Sequence, residues 1–277
     1  MPPKRGIVAL ALLTGFLVVC ILASSELAPE LHRAGALIAS GDRTSLVGAL
    51  FIFALVPIAS ALTWCRALGP VPLVEGCCRY GVGSLVNTFV PARAGDAVRI
   101  VLISRLLRGT RRRLIATRFG SLELVRIGCF GTMALASVER PAAVGAGLAI
   151  VALCARAGKL QLLSVVAASA LLRVGAFTVA LGAFGVHAPL AGALRVVPAL
   201  EIAAVAPLTP GNVAFASLAT SIALGGPVGA GLALGLALHL LETAAAVAFG
   251  LASATTLAFR RMVRVHGPAP VWLASPV

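Results

Sequence analysis

Long apolar runs alternate with short polar segments along most of this chain. A bilayer-spanning helix needs about 20 apolar residues, and five runs meet that length: residues 6–25, 44–65, 119–138, 160–184 and 228–259. The run at 141–155 is shorter, and we predict that it returns the chain to its more basic side. The pattern predicts an all-α integral membrane protein, a polytopic helical bundle with roughly seven to nine membrane-embedded segments.

Two further apolar stretches are interrupted by residues that break helices. The first, residues 80–92, would extend only about 20 Å as a helix, so we predict a re-entrant hairpin over residues 80–105. The second, residues 196–225, is predicted to form a broken hairpin of two half-helices that meet tip to tip. Its central breakers are Pro207, Pro210, Gly211 and Asn212. A kinked spanning helix is the simpler alternative for such stretches.

The positions of these two hairpins suggest how the chain is organised. We expect a single polytopic membrane domain over residues 1–277, without a soluble catalytic domain, divided into halves of about 1–140 and 141–265. A first hairpin that opens inward and a second that opens outward would form an inverted-topology repeat, which is common in transporters. No clear residue-by-residue match links the halves, so this interpretation rests on the placement of the breakers.

Composition and charge agree with a membrane protein. Sixty per cent of the residues are hydrophobic and only 12% are charged, with a mean hydropathy of +1.03, which a soluble domain does not reach. The net charge of +14 lies mostly in short loops, which predicts a multi-pass protein of the cell (inner) membrane with both termini cytoplasmic. The basic loop from Arg105 to Arg113 is expected to gather anionic inner-leaflet lipid, and nucleic-acid binding is the poorer interpretation.

Six ionisable side chains lie inside the apolar stretches: Glu123, Arg126, Arg173, Glu201, His239 and Glu242. A charge at bilayer depth costs about 2.5–3.5 kcal/mol even on the lenient insertion scale, so we expect them to face the bundle interior. Structural pairing, such as Arg173 with Glu201 or Glu123 with Arg126, and a role in transport are both open. His239 and Glu242 could form a proton relay or a simple helix contact. No metal or cofactor site is predicted, because the six cysteines lack metal-ligand spacing.

The densest polar chemistry follows the first hairpin. An arginine fork binds phosphate oxygens two at a time, so we predict a lipid-headgroup site formed by Asn87, Arg93, Asp96 and Arg99. Pro91 and Gly95 would shape the backbone around the headgroup, and the breakers of the second hairpin would form the opposing gate. Arg93 and Arg99 as ordinary cytoplasmic anchors are the alternative.

These residues resemble a known family: flippase-like membrane proteins that include the transmembrane region of bacterial lysylphosphatidylglycerol synthases. The resemblance covers most of the chain. Its motifs are Trp64 with Arg66; then Asn87, Pro91, Arg93, Gly95, Asp96 and Arg99 in order; then Pro207, Pro210, Gly211 and Asn212. Asp96 stands where glutamate is more usual, and Asn212 where glycine is. Glu123 and Arg126 match an acid-arginine motif of the family loosely.

The resemblance implies lipid translocation rather than lipid synthesis, because this sequence carries no lysyltransferase domain. The expected cargo is a phospholipid, an aminoacyl-phospholipid or a polyprenyl-phosphate-linked lipid, and we expect no enzyme activity. Two alternatives stay open: a membrane-embedded transferase acting on a polyprenyl-phosphate lipid, and a non-transporting partner of a lipid-modifying enzyme. Homo-oligomer formation is also left open.

Overall fold

The computed structural model describes residues 28–90, 94–107, 112–204, 213–225 and 227–266, and this part of the chain is helical, without a strand. The helices follow one another as α1 (28–40), α2 (Arg43–Leu68), α3 (Leu73–Phe89), α4 (Ala94–Ser104), α5 (Arg112–Ala136), α6 (Arg140–Arg156), α7 (Leu160–Ala183), α8 (Pro189–Ala203), α9 (Val213–Leu224) and α10 (Val228–His266).

Four of these helices are long and apolar enough to cross a membrane. Their candidate spans are Arg43–Leu68 in α2, Arg113–Ala136 in α5, Leu160–Ala183 in α7 and Val228–Arg260 in α10. The all-helical class is therefore confirmed, and four of the predicted runs form helices that are long and apolar enough to span a membrane. The predicted span at 6–25 lies outside the described residues. The run at 141–155 forms α6, whose 17 residues are fewer than a candidate span requires.

Helices α2 and α7 pack along each other at the centre of the bundle. Phe53 meets Phe177 edge to face with ring centroids 5.2 Å apart, and the hydroxyls of Ser60 and Ser169 lie 3.0 Å apart. The hydroxyl of Thr63 donates a hydrogen bond to the carbonyl oxygen of Val165 on α7. The residue numbers of the α7 partners decrease as those of the α2 residues increase, so the two helices are antiparallel.

A first helix pair, α3 and α4, lies beside the C-terminus of α2. Arg79 donates to the carbonyl oxygen of Leu102 near the open end of the pair, while Asn87 contacts Gly95 near its tip, so the two helices are antiparallel. A Cβ atom on Gly95 would overlap the carbonyl oxygen of Gly83, and the two backbones therefore touch. Small residues allow this close approach.

The start of α3 differs from the prediction. The hairpin was expected from residue 80, but α3 begins at Leu73 and includes Glu75 and Arg79. These two charges form an ion pair one helical turn apart, with 2.6 Å between Arg79 Nη2 and Glu75 Oε1. The pair compensates its own charge within the helix, and α3 therefore extends seven residues before the expected start.

A second helix pair, α8 and α9, follows the C-terminus of α7, at the opposite end of the bundle. The start of α8 lies near the end of α9, since a Cβ atom on Gly192 would be 3.3 Å from a methyl group of Leu224. The breakers predicted between the two half-helices lie outside the described residues, between the end of α8 and the start of α9. However, α8 begins at Pro189 rather than at residue 196, directly after Ala188 in a left-handed conformation with φ 51°.

Helix α10 packs against both helix pairs. A Cβ atom on Gly250 would lie 2.8 Å from the Cβ of Leu85 in α3, and one on Gly235 would lie 2.7 Å from the Cα of Ser217 in α9. Glycine at both contacts lets the helices approach closely. The long helix thereby holds the two pairs in one bundle.

Candidate functional site

The C-terminal ends of α3 and α8 meet at a cavity of about 330 Å³, which we name the central cavity. Asn87 and Thr88 line it from the first pair, and Glu201 and Ala204 from the second. Arg173, near the middle of α7, also lines it. The cavity therefore lies well inside the bundle, and helix pairs from opposite ends reach it.

Arg99 is a buried charged group of the central cavity, and it is only 9% exposed. Its Nη1 lies 2.5 Å from Asp96 Oδ1, and its Nη2 donates to Ser84 Oγ at 2.8 Å. The guanidinium carbon stands 4.2 Å from the ring centroid of Tyr80 and 5.7 Å from that of Trp64, which is cation–π geometry. Its Nε has no hydrogen-bond partner among the described residues.

Asn87 joins the end of α3 to the start of α4. Its Oδ1 accepts a hydrogen bond from the backbone N–H of Gly95 at 2.6 Å, and its Nδ2 donates to Asp96 Oδ1 at 3.0 Å. Asp96 lies in the first turn of α4, where the helix dipole favours a carboxylate. Asn87 thus fixes the carboxylate of Asp96, which in turn orients Arg99.

Five charged side chains from four helices form an ion-pair chain across the cavity. Arg126 on α5 bridges Glu123 on the same helix at 3.2 Å and Glu201 on α8 at 2.6 Å. Arg173 on α7 then binds the other oxygen of Glu201 and, through Nε at 2.7 Å, Glu242 on α10. The two pairs predicted from the sequence are both present, as links of a single chain.

The ion-pair chain holds three carboxylates and two guanidinium groups. When all five are ionised it carries one net negative charge, while Asp96 and Arg99 form a neutral pair beside it. His239 lines the same cavity, one turn before Glu242. The cavity therefore offers positively charged hydrogen-bond donors and negatively charged hydrogen-bond acceptors.

Most of the predicted site residues meet here. Eight of them line the central cavity: Asn87, Asp96, Arg99, Arg126, Arg173, Glu201, His239 and Glu242. Glu123 contacts a lining residue, and Gly95 lies under Asn87. The remaining predicted residues lie outside the described ones: Pro91, Arg93, Pro207, Pro210, Gly211 and Asn212. Arg105 and Arg113 are exposed, and most of the basic loop between them is not described.

The sequence-based prediction included Asp96 but missed two other groups that hold Arg99. Tyr80 and Ser84 were not singled out, although with Asn87 and Thr88 they recur every three or four residues. That spacing places them on one face of a helix, and it could have identified the polar face of α3 within an apolar segment. Within the described ranges, no group of three or more His, Cys, Asp or Glu residues could hold a metal ion.

Comparison with known proteins gives no match to the chain. No protein-family model, no curated protein and no solved structure is significantly similar to it.

Proposed function

We propose that this protein translocates a lipid with a phosphate-containing headgroup between the two leaflets of a membrane, with the central cavity as the headgroup site. The observation that carries the proposal is the central cavity itself, a charged cavity well inside the bundle, which helix pairs from opposite ends reach. Buried ion pairs are often no more stabilising than apolar packing, and ionisable groups at bilayer depth are costly. Their concentration at this cavity therefore favours a binding role.

The chemistry of the cavity fits an anionic or zwitterionic headgroup. Arg99 is fixed by Asp96 and Ser84 and keeps its Nε available for an acceptor. A guanidinium held in this way is a good phosphate ligand. The surplus carboxylate of the ion-pair chain is suited to a positively charged part of the same headgroup.

The two helix pairs support re-entrant hairpins. Helices of 17 and 15 residues, such as α3 and α8, reach about 26 Å and 23 Å at 1.5 Å per residue, short of the roughly 30 Å hydrocarbon core. Each pair has both of its outer ends at one end of the bundle, and the C-terminal ends of α3 and α8 lie at the central cavity. One hairpin would thus face each side of the membrane.

A constant sequence shift supports the inverted repeat. Helix α8 begins 116 positions after α3, at Pro189 and Leu73, and α10 begins 116 positions after α5, at Val228 and Arg112. Helix α7 begins 117 positions after α2, and these two helices are antiparallel, as inverted repeats require. The helix starts supply the register that the sequence pattern alone lacked: at a shift of 116, five pairs of identical residues align, Gly69, Gly76, Arg79, Pro91 and Gly95 with Gly185, Gly192, Arg195, Pro207 and Gly211.

The same shift relates the charged groups of the cavity. Glu123 and Arg126 on α5 align with His239 and Glu242 on α10, and all four lie at the cavity or contact a residue that lines it. The bond between Arg126 and Glu201 joins one repeat to the other. Rocking of the repeats would rearrange this bond and expose the headgroup site alternately to the two sides.

The resemblance to flippase-like proteins agrees with this proposal and stays a prediction. The alternatives of a membrane-embedded transferase and of a non-transporting partner differ in a measurable outcome. A transferase would change the covalent structure of the lipid. With a non-transporting partner protein, the lipid would stay in its original leaflet.

The test is leaflet exchange of headgroup-labelled phospholipids in liposomes that contain the purified protein. We expect Arg99→Ala to slow exchange about ten-fold or more, because hydrogen bonds to charged groups contribute roughly 1.5–3 kcal/mol. Arg99→Lys should give an intermediate rate, since lysine keeps the charge and loses the fork. Arg140→Ala, an exposed arginine outside the cavity, is the matched control and should exchange like the wild type.

Two results would contradict the proposal. One is unchanged exchange in a correctly folded Arg99→Ala protein, and the other is absence of exchange by the wild-type protein for every headgroup tested. Mass analysis of the recovered lipid separates translocation from covalent modification.

A further inference from the structure

Three basic side chains converge on a second cavity, of about 270 Å³, away from the central cavity. We name it the basic pocket. Arg66 comes from the last turns of α2, Arg118 from the start of α5, and Lys159 from the residue before α7. Ser121 and Gln161 add polar atoms to its wall.

The three cations are not neutralised within the described chain. Arg118 donates to the carbonyl oxygen of Leu68 at 2.6 Å, and Lys159 contacts Ser121 Oγ at 2.5 Å. Each of these contacts uses one N–H group, so other donors of both side chains remain available. No described carboxylate forms an ion pair with Arg66, Arg118 or Lys159.

The ends of two candidate spans add to the positive character of the pocket. Helix α7 begins at Leu160 without a side-chain cap, and Gln161 and Leu162 of its first turn line the pocket. The positive end of a helix dipole and its unbonded N–H groups favour an anion. Because α2 ends and α7 begins here, the pocket lies where a membrane-spanning bundle meets lipid headgroups.

We propose that the basic pocket binds a phosphate group, the chemistry shared by an anionic lipid headgroup and a free phosphate ion. A basic pocket between transmembrane helices is a typical site for an anionic headgroup. The pocket is separate from the central cavity, so this proposal holds or fails independently of lipid translocation.

The experiment titrates the full-length protein in detergent micelles with two probes, fluorescent phosphatidylglycerol and inorganic phosphate. The test variant combines Arg66→Gln with Lys159→Gln. Its matched control combines Arg140→Gln with Arg156→Gln, which removes the same charge from two exposed positions outside the pocket. We expect the test variant to bind phosphatidylglycerol about 25-fold more weakly, since each cation contributes roughly five-fold. The affinity of the control variant for phosphatidylglycerol should change less than about three-fold, because salt screens exposed charges that lie outside the pocket.

The single variant Arg66→Gln keeps the test interpretable if the double variant misfolds, because Arg66 is exposed. It should weaken phosphatidylglycerol binding about five-fold. Displacement of the lipid probe by inorganic phosphate would identify the phosphate group alone as the ligand. Failure of phosphate to compete would identify the lipid headgroup, and either result supports the pocket. No binding by the wild type, or equal losses in the test and control variants, would overturn the proposal.

Discussion

At the scale of single residues, the central cavity depends on charges that compensate one another. Arg173 binds Glu201 on α8 and Glu242 on α10, and its side chain is 16% exposed. Removing one member of a buried ion pair leaves an uncompensated charge, which costs more than the intact pair contributes. The arginine is therefore as important for folding as for any headgroup contact.

Replacement of Arg173 by methionine should lower the free energy of unfolding by about 3–5 kcal/mol. Adding Glu242→Gln to Arg173→Met should recover part of this loss, because the double variant restores the original net charge of the ion-pair chain. Denaturant titration in micelles of the wild type, both single variants and the double variant measures the effect. Simple addition of the two single losses would show that the residues do not interact.

The sequence predicts that such charges face inward and suggests two of the pairs, but not the contact that joins those pairs into one chain. Glu123 is an obvious partner for Arg126, three residues away on the same helix. Its closer partner is Glu201, 75 positions along the chain, at 2.6 Å. That contact depends on how α5 and α8 are positioned relative to each other, which apolar periodicity does not determine.

At the scale of helices and helix pairs, backbone contact at glycine holds α3 against α4. Gly95 lies against the carbonyl oxygen of Gly83 and under the side chain of Asn87. A methyl group has no room there, and relief of the overlap requires the two helices to separate. Separation would also move Asp96, and with it Arg99.

Gly95→Ala should therefore destabilise the protein by about 1–3 kcal/mol, the usual cost of overpacking. Gly131→Ala in α5 is the matched control, since a Cβ atom at Gly131 has no neighbour within 4 Å. That substitution should be neutral or stabilising by up to about 1 kcal/mol, because alanine favours a helix over glycine. Thermal unfolding in micelles separates the two, and equal stability would contradict the observed backbone contact.

The apolar runs predicted four helices well, since length and hydropathy alone decide whether a segment can span. Helix starts were harder to predict where charges are compensated locally. Glu75 and Arg79 precede the expected hairpin start at residue 80, but they form an ion pair inside α3, which begins at Leu73. Arg195 is exposed and precedes the expected start of the second hairpin at residue 196, but it lies inside α8.

At the scale of the whole molecule, positive charge is concentrated at one end of the bundle. The end where α2 finishes and α7 begins carries Arg66, Arg118, Arg156 and Lys159. The opposite end carries acidic Asp42 beside Arg43 and acidic Glu139 beside Arg140. By the positive-inside rule we therefore expect the first end to lie in the cytoplasm.

Single cysteines at Arg43 or Arg140 should react with a membrane-impermeant maleimide in intact cells. Cysteines at Arg66 or Arg156 should react only after the membrane is permeabilised. The background is a variant without natural cysteines that retains wild-type stability. The reversed pattern would invert the proposed orientation, and labelling of all four positions from outside would contradict a bundle that spans the membrane.

The order of the ion-pair chain along the sequence has a consequence for synthesis. Arg173 precedes its two acidic partners by 28 and 69 residues, so it emerges from the ribosome before either carboxylate does. A lone arginine at the centre of an inserting helix costs about 2.5–3.5 kcal/mol. We therefore expect α7 to stay at the insertion machinery until α8 and α10 arrive, so that the second half of the protein enters the lipid as one unit.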